Sequence, residues 1–377
     1  MGKIRVAIAG VGNCASALVQ GVFYYKNVPD DAFVPGVHKV RFGPYHIGDI
    51  EFVAAFDVDA RKVGKDLSEA IFAEPNCTTK FAEVPKLGVE VMFAPVLDGL
   101  GRHARQRVKV PENIKPVNVA DVLKEVQADV LINFLPVGSY KASRYYAEAC
   151  LEAGTAFLNG IPEFIVSDPE RQKKFYERGL PAAGDDVQSQ LGATVLHKTL
   201  IKLFVDRGLA VDESYQLNVG GNLDFRNMLD EERLKRKRIS KTEAVAKMVP
   251  YEVPLRIGPS DFVRFLNDHK VAYIYIKGRN RGDNPVRLDV KLKVVDSPNS
   301  AGVVVDVIRA LKIALDHGIA GPIISISAYA FKHPPVHAPY QIAKKRVDMY
   351  IKDPVGTEKM LREKYLEKGI TAVTEEE

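Results

Sequence analysis

The sequence lacks cysteine pairs, long apolar runs and a targeting segment. Its three cysteines, Cys14, Cys77 and Cys150, are odd in number and show no C-x-x-C spacing, which excludes a disulfide framework and a cysteine zinc site. No apolar run reaches the roughly 18 residues of a membrane-spanning helix, and the N-terminal MGKIRVAIAGVGN lacks the apolar core of a signal peptide. We therefore expect a protein of the reducing cytoplasm with no membrane partner.

An excess of one charge sign is also missing. The chain has 53 basic and 48 acidic residues, a net charge of +5, whereas a nucleic-acid-binding protein carries a dominant positive field. We expect no nucleic-acid partner and favour a small anionic ligand. With 46% hydrophobic residues in 377, the chain can build two compact domains, or one large α/β domain that carries an insertion.

The eight histidines suggest no metal-binding cluster, which gives little support to a zinc-dependent alcohol dehydrogenase. The sequence does not identify any metal ligand. Whether a divalent cation, Mg²⁺ or Zn²⁺, is needed is left open.

Short apolar runs alternate with helical patterns over residues 1–200. The runs are KIRVAIAG, EFVAAFD, DVLINFL, TAFLNG and LPAAGDD. Helical spacing from Cys14 to Tyr25 and from Ser139 to Ala153 separates some of them. This alternation predicts an α/β fold with a Rossmann-type, doubly wound parallel sheet. Residues 26–50, rich in Pro, Gly and aromatics, are predicted to be an insertion that serves as a lid or an interface arm.

After a helical stretch from Ser189 to Arg207 the pattern changes. SYQLNVGG, VAYIYIKG and VRLDVKLKVV alternate apolar and polar residues, as antiparallel strands with one solvated or partner-covered face do. We predict an inserted α+β domain with a mainly antiparallel sheet over residues 201–300. A helix from Val303 to Asp316 and the stretch AGPIISISAYA predict that residues 301–377 return to the first domain, with the last 25 residues fraying.

A glycine-rich turn follows the first predicted strand. Gly10-Val11-Gly12-Asn13-Cys14-Ala15 matches G-x-G-x-x-A. Gly10 permits the tight turn, Gly12 lets a pyrophosphate approach the backbone, and Asn13 and Cys14 begin a helix whose N-terminus favours an anion. A tight turn without a ligand is the alternative.

Two further segments are predicted to reach the same cofactor. Asp57 ends the second long strand, where an acidic residue binds the adenosine ribose and disfavours a 2'-phosphate, so NAD is favoured over NADP. Asp57 could instead cap a helix. FLPVGS should lie at the carboxyl edge of the sheet, which places Pro136, Val137 and Ser139 at the cofactor unless the segment is only a loop.

The stretch LKRKRISK, residues 234–241, carries five basic side chains. Lys237 and Lys241 are four apart and share one face if helical, which suits two ammonium groups converging on a phosphate or oxyanion. Crowded cations also lower one another's pKa, so one lysine could shuttle protons near neutral pH. A solvated helix end or a localisation signal is the alternative.

Several stretches together resemble the inositol-1-phosphate synthase family in its shorter bacterial and archaeal form, from about residue 3 to residue 335. They are VAIAGVGNCAS, VQGVFYY, RFGPYHIGDIEFVAAFDVD, FLPVGS, GDDVQSQLGAT, LNVGGNLDF, KRISKTEAV, GPSDFV and VVDSPNSAGVV. The resemblance implies a homotetrameric, redox-neutral isomerase that converts D-glucose 6-phosphate to 1D-myo-inositol 3-phosphate. It also implies NAD as the cofactor, and catalysis and oligomerisation through residues 201–300.

The implied chemistry explains the basic residues. Oxidation at C5 acidifies the C6 protons, loss of one gives an enolate that closes the ring on C1, and C5 is then reduced. Each intermediate has a polarised oxygen that a cation stabilises. By the resemblance, Lys237 and Lys332 do the proton and oxyanion work, and Lys241 and Lys270 hold the phosphate.

The resemblance also implies three supporting residues. Asp186 in GDD and Asp296 in VVDSPNS would orient lysines and contact nicotinamide or ribose, and Asn218 in LNVGGN would help bind substrate. Gln188 stands where the family's DD-x-K-S pattern has lysine.

Taken singly, the residues allow structural roles. Asp185 and Asp186 could cap the helix near Ser189, Lys270 could be an exposed residue at a strand start, and Asp296 could belong to a turn.

Two other functions remain open from the residues alone. A dehydrogenase of a phosphorylated sugar would share the same NAD-binding features, and so would a non-catalytic NAD-binding regulator. Stoichiometry separates them, because only the dehydrogenase accumulates NADH.

Overall fold

The computed structural model describes residues 2–373. Its strands are β1 (Ile4–Ala9), β2 (Arg41–Phe42), β3 (Tyr45–His46), β4 (Ile50–Asp57), β5 (Val91–Phe93), β6 (Val130–Asn133), β7 (Ala156–Asn159), β8 (Pro181–Ala183), β9 (Ala210–Gly220), β10 (Leu255–Phe262), β11 (His269–Arg279), β12 (Pro285–Val295) and β13 (Gly321–Pro322). Its α-helices are α1 (Asn13–Tyr25), α2 (Leu67–Ala70), α3 (Val119–Glu125), α4 (Tyr140–Ala153), α5 (Pro169–Glu177), α6 (Ala193–Asp206), α7 (Leu223–Asn227), α8 (Glu231–Ala246), α9 (Asp296–Asp316), α10 (Ile324–Ala330), α11 (Tyr340–Lys352) and α12 (Pro354–Leu361).

A seven-stranded parallel sheet has the order β13-β8-β7-β6-β1-β4-β5. Its central strands are buried because apolar helices cover both faces. Helices α1 and α9 pack on one face, and α3, α4 and α5 pack on the other. The strand order reverses at β1, which lies between β4 and β6, so a crevice opens at the carboxyl ends of these strands. The predicted fold class is confirmed.

A second sheet has the order β10-β9-β11-β12. The pairs of β9 with β11 and of β11 with β12 are antiparallel, but β9 and β10 are parallel, so the sheet is mixed. Its inner face packs Ile274 and Ile276 against α6 and α8, and its outer face exposes Tyr215, Leu217 and Tyr273. Strand β10 escaped prediction because GPSDF, with Gly and Pro, does not have the composition of a strand.

The C-terminal part differs from prediction in two ways. Helix α9 begins at Asp296 rather than Val303, because Pro298 falls in the first turn, where a missing N–H is tolerated. The expected fraying is wrong for α12 and for the π-helical turn Arg362–Leu366. The final TEEE lies outside the described residues. Strand β13 pairs with β8, so the chain after α9 adds a strand to the first sheet.

The predicted insertion, residues 26–50, contains the β2–β3 hairpin and is fastened to α9. The fully buried Arg309 guanidinium donates to the carbonyl of Val40 at 2.7 Å and to that of Lys39 at 2.9 Å. The Tyr45 hydroxyl donates to Asp316. Among residues 2–373, no helix combines the length and apolarity that crossing a bilayer requires.

Candidate active site

One cavity follows the carboxyl ends of β1, β4 and β6 and continues to α8. Gly10, Gly12 and Asp57 line one end, which we call the glycine end. The other end, which we call the lysine end, is lined by Lys237, Lys241, Lys270, Lys332, Asp186, Asp296, Asn222 and Asp224. The fold thus brings most of the sequence-predicted residues into one space.

At the glycine end the backbone itself forms the surface. Gly10 has φ +92°, and a Cβ there would lie 2.8 Å from the carbonyl oxygen of Phe134, so only glycine fits without strain. A Cβ on Gly12 would meet no atom within 4 Å, so that side faces open space. No side chain caps the N-terminus of α1, which leaves its first N–H groups available to an anion.

Asp57 fixes the shape of the glycine-rich turn. Its carboxylate accepts from the N–H of Val11 at 2.8 Å and lies 3.8 Å from the Lys62 ammonium. It caps no helix, since the nearest following helix, α2, is capped by Asp66. Lys62 and Asn76 also line the cavity, but sequence analysis missed them because they lie in turns without a motif.

The other residues predicted to bind cofactor divide into two groups. Asn13, Cys14, Pro136 and Val137 line the cavity. Ser139 does not, because it is fully buried and its hydroxyl donates to the carbonyl of Pro136 in the turn before α4. Burial raises the pKa of the Cys14 thiol to about 12, so the thiol stays protonated.

Four lysines from separate elements converge at the lysine end. Lys237 donates to Asp224 at 2.7 Å, Lys332 donates to Asp186 at 2.8 Å, and Lys270 lies 3.4 Å from Asp296. Lys241 is buried and has no carboxylate or hydrogen-bond partner within residues 2–373.

These different surroundings separate the proton affinities of the lysines. Burial, and then repulsion from Lys237, Lys270 and Lys332, hold the pKa of Lys241 well below its usual value. Burial also lowers the pKa of Lys332, against the attraction of Asp186.

Burial acts against the charge of Lys237 too, but the Asp224 carboxylate outweighs it and raises that pKa. The lysine end therefore combines a permanent cation with amines that give up a proton more readily.

The carboxylates of Asp186 and Asp296 stay ionised. Burial would raise the pKa of each, but the lysine charges, led by Lys332 for Asp186 and by Lys270 for Asp296, lower it. Asp296 is the first residue of α9 and not part of a separate turn, and Lys270 lines the cavity instead of standing exposed.

The predicted alternative that Asp185 or Asp186 caps α6 is wrong, since the N-cap of that helix is Gly192. Asp185 instead accepts the N–H groups of Ile165 and Val166.

Sequence analysis did not select Asn222 and Asp224, which line the lysine end, or Asp268, which is hydrogen-bonded to Asn222. Burial raises the pKa of Asp268 to about 6, and its carboxylate accepts from Ser297 Oγ at 2.7 Å and from Asn222 Nδ2 at 3.2 Å. Asn222 lines the cavity, whereas the predicted Asn218 does not. Both asparagines lie in LNVGGN, and the sequence of that stretch does not show where β9 ends.

Asn218 and Gln188 are buried away from the cavity. Asn218 accepts from Gln216 at 3.0 Å on the inner face of the second sheet, and its Nδ2 has no partner in the described chain. Gln188 donates to the carbonyl of Tyr329 at 2.5 Å and brings no charge to the lysine end.

The basic stretch, residues 234–241, belongs to α8, and the surface alternative is wrong for Lys237 and Lys241. Lys235, on the same helix, is exposed. Arg236 does not face solvent freely, because it pairs with the buried Glu163 at 2.8 Å and lies over the ring of Phe164.

The expectation that the histidines form no cluster is also wrong. His333 and His337 are four residues apart in HPPVH, and the fold brings Glu243 beside them. The three side chains do not line the cavity.

Comparisons with known proteins identify the family. A family model described as Myo-inositol-1-phosphate synthase matches residues 192–297. The chain is 52% identical over 357 residues to an inositol-3-phosphate synthase of Corynebacterium glutamicum, with 92% of this chain and 98% of the relative covered. It is 53% identical to an inositol-3-phosphate synthase of Mycobacterium tuberculosis, with 93% and 96% covered.

Solved structures share the fold. A crystal structure of Ari2 has a TM-score of 0.74 at 36% identity and covers 93% of this chain and 99% of its own. An inositol-3-phosphate synthase of Caenorhabditis elegans has a TM-score of 0.76 at 15% identity, covering 93% and 85%, and supports the fold alone.

Proposed function

The chain belongs to the inositol-3-phosphate synthase family, and we propose that its lysine end is the place of reaction. The protein is an isomerase that converts D-glucose 6-phosphate to 1D-myo-inositol 3-phosphate, and the family resemblance inferred from its motifs is confirmed. The observation that carries the proposal is the meeting of four lysines with a glycine-rich turn in one cavity. A dianionic phosphate and a polarised sugar oxygen both need such cations.

The family uses NAD, and the residues of the glycine end fit it. The open side of Gly12 and the uncapped N-terminus of α1 suit a pyrophosphate, and Asp57 stands where a ribose would be bound. NAD held by Gly10, Gly12 and Asp57 at the glycine end would supply a reversible hydride acceptor for C5 of the substrate.

The electrostatics favour a different division of labour from the one that the resemblance implies. Lys237, held charged by Asp224, would bind the phosphate or an oxyanion. Lys241, whose pKa burial and the neighbouring lysines hold well below its usual value, would accept a proton from the substrate. Lys332, bonded to Asp186, would exchange a proton with the C5 oxygen, and Lys270 would hold phosphate.

A divalent cation fits the lysine end poorly. Asp186 and Asp296 are already paired with lysines, and a divalent cation would have to approach the ammonium groups around them.

We also propose a homotetramer in the cytoplasm. The outer face of the second sheet exposes Tyr215, Leu217 and Tyr273, each about 40% accessible, which favours cover by another subunit. The three cysteines are free thiols, which favours a reducing compartment. Sedimentation of the purified chain tests the assembly, and a monomer at micromolar concentration would contradict it.

The function is tested by supplying glucose 6-phosphate labelled with deuterium at C5 and a catalytic amount of NAD. We expect a periodate-sensitive inositol phosphate that retains deuterium, with no accumulation of NADH. A dehydrogenase would instead form one NADH per product, and a regulator would form no product. Failure to form the inositol phosphate, with or without Mg²⁺ or Zn²⁺, would contradict the proposal.

A further inference from the structure

Outside the cavity, Glu243, His333 and His337 bring three potential ligand atoms within 4.8 Å of one another. Two imidazoles and one carboxylate are a donor set that suits Zn²⁺ and related divalent ions. Tetrahedral zinc holds its ligand atoms about 3.4 Å apart, so closing the cluster needs movements of at most about 1.4 Å.

The backbones of both histidines are fixed. His333 exchanges two backbone hydrogen bonds with Asp185, each 3.0 Å long. His337 donates to the carbonyl of Thr371 at 2.7 Å and accepts from Val373 at 2.9 Å. Pro334 and Pro335 stiffen the segment between the histidines. Preorganised ligands lose little entropy on binding an ion.

The imidazole nitrogens are poorly satisfied without an ion. Nδ1 of His333 is buried and lies 2.9 Å from a Glu243 oxygen, but the contact lacks hydrogen-bond geometry. The ring of His337, which is only 5% exposed, receives no hydrogen bond from residues 2–373. A buried polar atom without a partner is costly, and a metal bond would satisfy His333 Nδ1 and give the His337 ring a partner.

We propose that Glu243, His333 and His337 form a site for a divalent metal ion of the Zn²⁺ type. Water would complete the coordination, since the three protein ligands leave one tetrahedral position open. Glu243 is 41% exposed, which gives an ion a path from solvent.

The site would tie together two parts of the lysine end. Glu243 lies two residues after Lys241 on α8, and His333 directly follows Lys332. An ion held by both segments would fix the distance between these lysines without touching substrate. The existence of the site does not depend on the proposed reaction, but this positioning role does.

Two neighbouring cations limit the affinity. Lys198 and Lys247 both act on His337 electrostatically. Lys198 is buried, with its ammonium donating to the carbonyl of Ala338 at 3.1 Å. We therefore expect an exchangeable ion that chelators remove, rather than a permanent structural zinc.

The test measures zinc binding directly. The full chain without an affinity tag is stripped with EDTA, shown to be folded by circular dichroism, and titrated with Zn²⁺ against a chromophoric zinc indicator. We expect one site per chain. His337→Gln should weaken it more than about 100-fold, because losing a ligand exceeds the 10- to 100-fold effect of an outer partner.

His317→Gln is the matched control, because His317 is exposed and outside the cluster, and it should bind like the parent chain. If His337→Gln does not fold, Glu243→Gln on the exposed side of α8 decides, with weakening of at least about tenfold expected. Equal binding by the parent and the cluster variants would overturn the proposal, as would a folded parent that binds no zinc. Because the readout is binding, its failure is distinct from a failure of the isomerase assay.

Discussion

The glycine end and the lysine end of the cavity are formed by different kinds of chemical group. The first uses backbone groups from one short stretch, residues 10–15, together with the aspartate that holds it. The second collects charged side chains from α8, β11, α9 and the segment after α10. Backbone N–H groups suit a ligand that is only held, whereas proton transfer needs side chains whose pKa values the surroundings can shift.

Within the lysine end, Lys237 and Lys241 lie one helical turn apart and show how the surroundings shift the pKa of a side chain. They share a face of α8, yet their pKa values move in opposite directions. Burial disfavours the charge on both, and only Lys237 has a carboxylate partner, Asp224. The partner, not the helix position, decides the charge state.

The largest expected effect comes from Lys332→Met. It removes a proton-exchanging group, so product formation should fall by about 10³-fold or more, while NAD binding at the glycine end stays within about twofold. Steady-state assays and NAD titration measure the two. Lys359→Met, at an exposed position, is the control and should change neither. Loss of NAD binding in Lys332→Met would contradict the assignment of NAD binding to the glycine end and of proton transfer to the lysine end.

Gly10→Ala, unlike Lys332→Met, should weaken NAD binding. Its Cβ would clash with the Phe134 carbonyl at positive φ, so we expect a loss of about 2–3 kcal/mol in stability and at least tenfold in NAD affinity. Denaturant unfolding and NAD titration measure these. Gly64→Ala separates the two costs, because Gly64 also has positive φ but open space around it. Equal effects of both variants would contradict the close approach to Phe134.

Asp224→Asn should reduce product formation by about 10- to 100-fold by removing the partner of Lys237. The attraction raises the folded-state pKa of Lys237, so the charged form holds until high pH in the parent chain. Without Asp224 that charge is lost at lower pH, and the alkaline limb of the pH–rate profile should move down. Asp261→Asn, at an exposed position, should leave the profile unchanged. An unshifted profile in Asp224→Asn would contradict the role of the pair.

Lys198→Met should produce the smallest effect, a gain of about 2 kcal/mol in stability at pH 7. Burial lowers the pKa of Lys198 from 10.5 to about 8, which corresponds to a destabilisation of the parent chain by about 3 kcal/mol. The variant loses the hydrogen bond to Ala338, which costs about 1 kcal/mol and leaves the net gain given above. Because the pKa of Lys198 is lower in the folded state, the folded protein is destabilised by the full amount below about pH 8. This destabilisation disappears as the pH rises to 10.5.

The gain from Lys198→Met should therefore shrink over that range of pH. Denaturant unfolding at several pH values measures it, with the exposed Lys173→Met as control. A variant less stable than its parent at pH 7 would contradict the account.

The features of the fold and the site that were predicted best from the sequence are those that local patterns determine. The alternation of strands and helices gave the parallel sheet, and the G-x-G-x-x-A turn gave the glycine end. Helical spacing singled out Lys237 and Lys241, whereas Lys270 and Lys332 came from the family resemblance. Asn218 was chosen where Asn222 lines the cavity, since the end of β9 is not visible in LNVGGN.

Other features depend on contacts between distant segments. The partner of Arg236 is Glu163, on another part of the chain, so the charged run by itself could not show that Arg236 is paired. Glu243 lies far in sequence from His333 and His337, and no local pattern joins them. Strand β10 is a strand through its pairing with β9, which offsets the poor propensity of GPSDF.

The most direct test compares Lys241→Met with Lys235→Met, two substitutions on the same helix α8. Product formation from glucose 6-phosphate is measured at saturating NAD and pH 7. We predict that Lys235→Met matches the parent and that Lys241→Met loses about 10³-fold or more while still binding NAD. A Lys241→Met chain that keeps its activity within tenfold would contradict the central claim that the lysine end carries out the reaction.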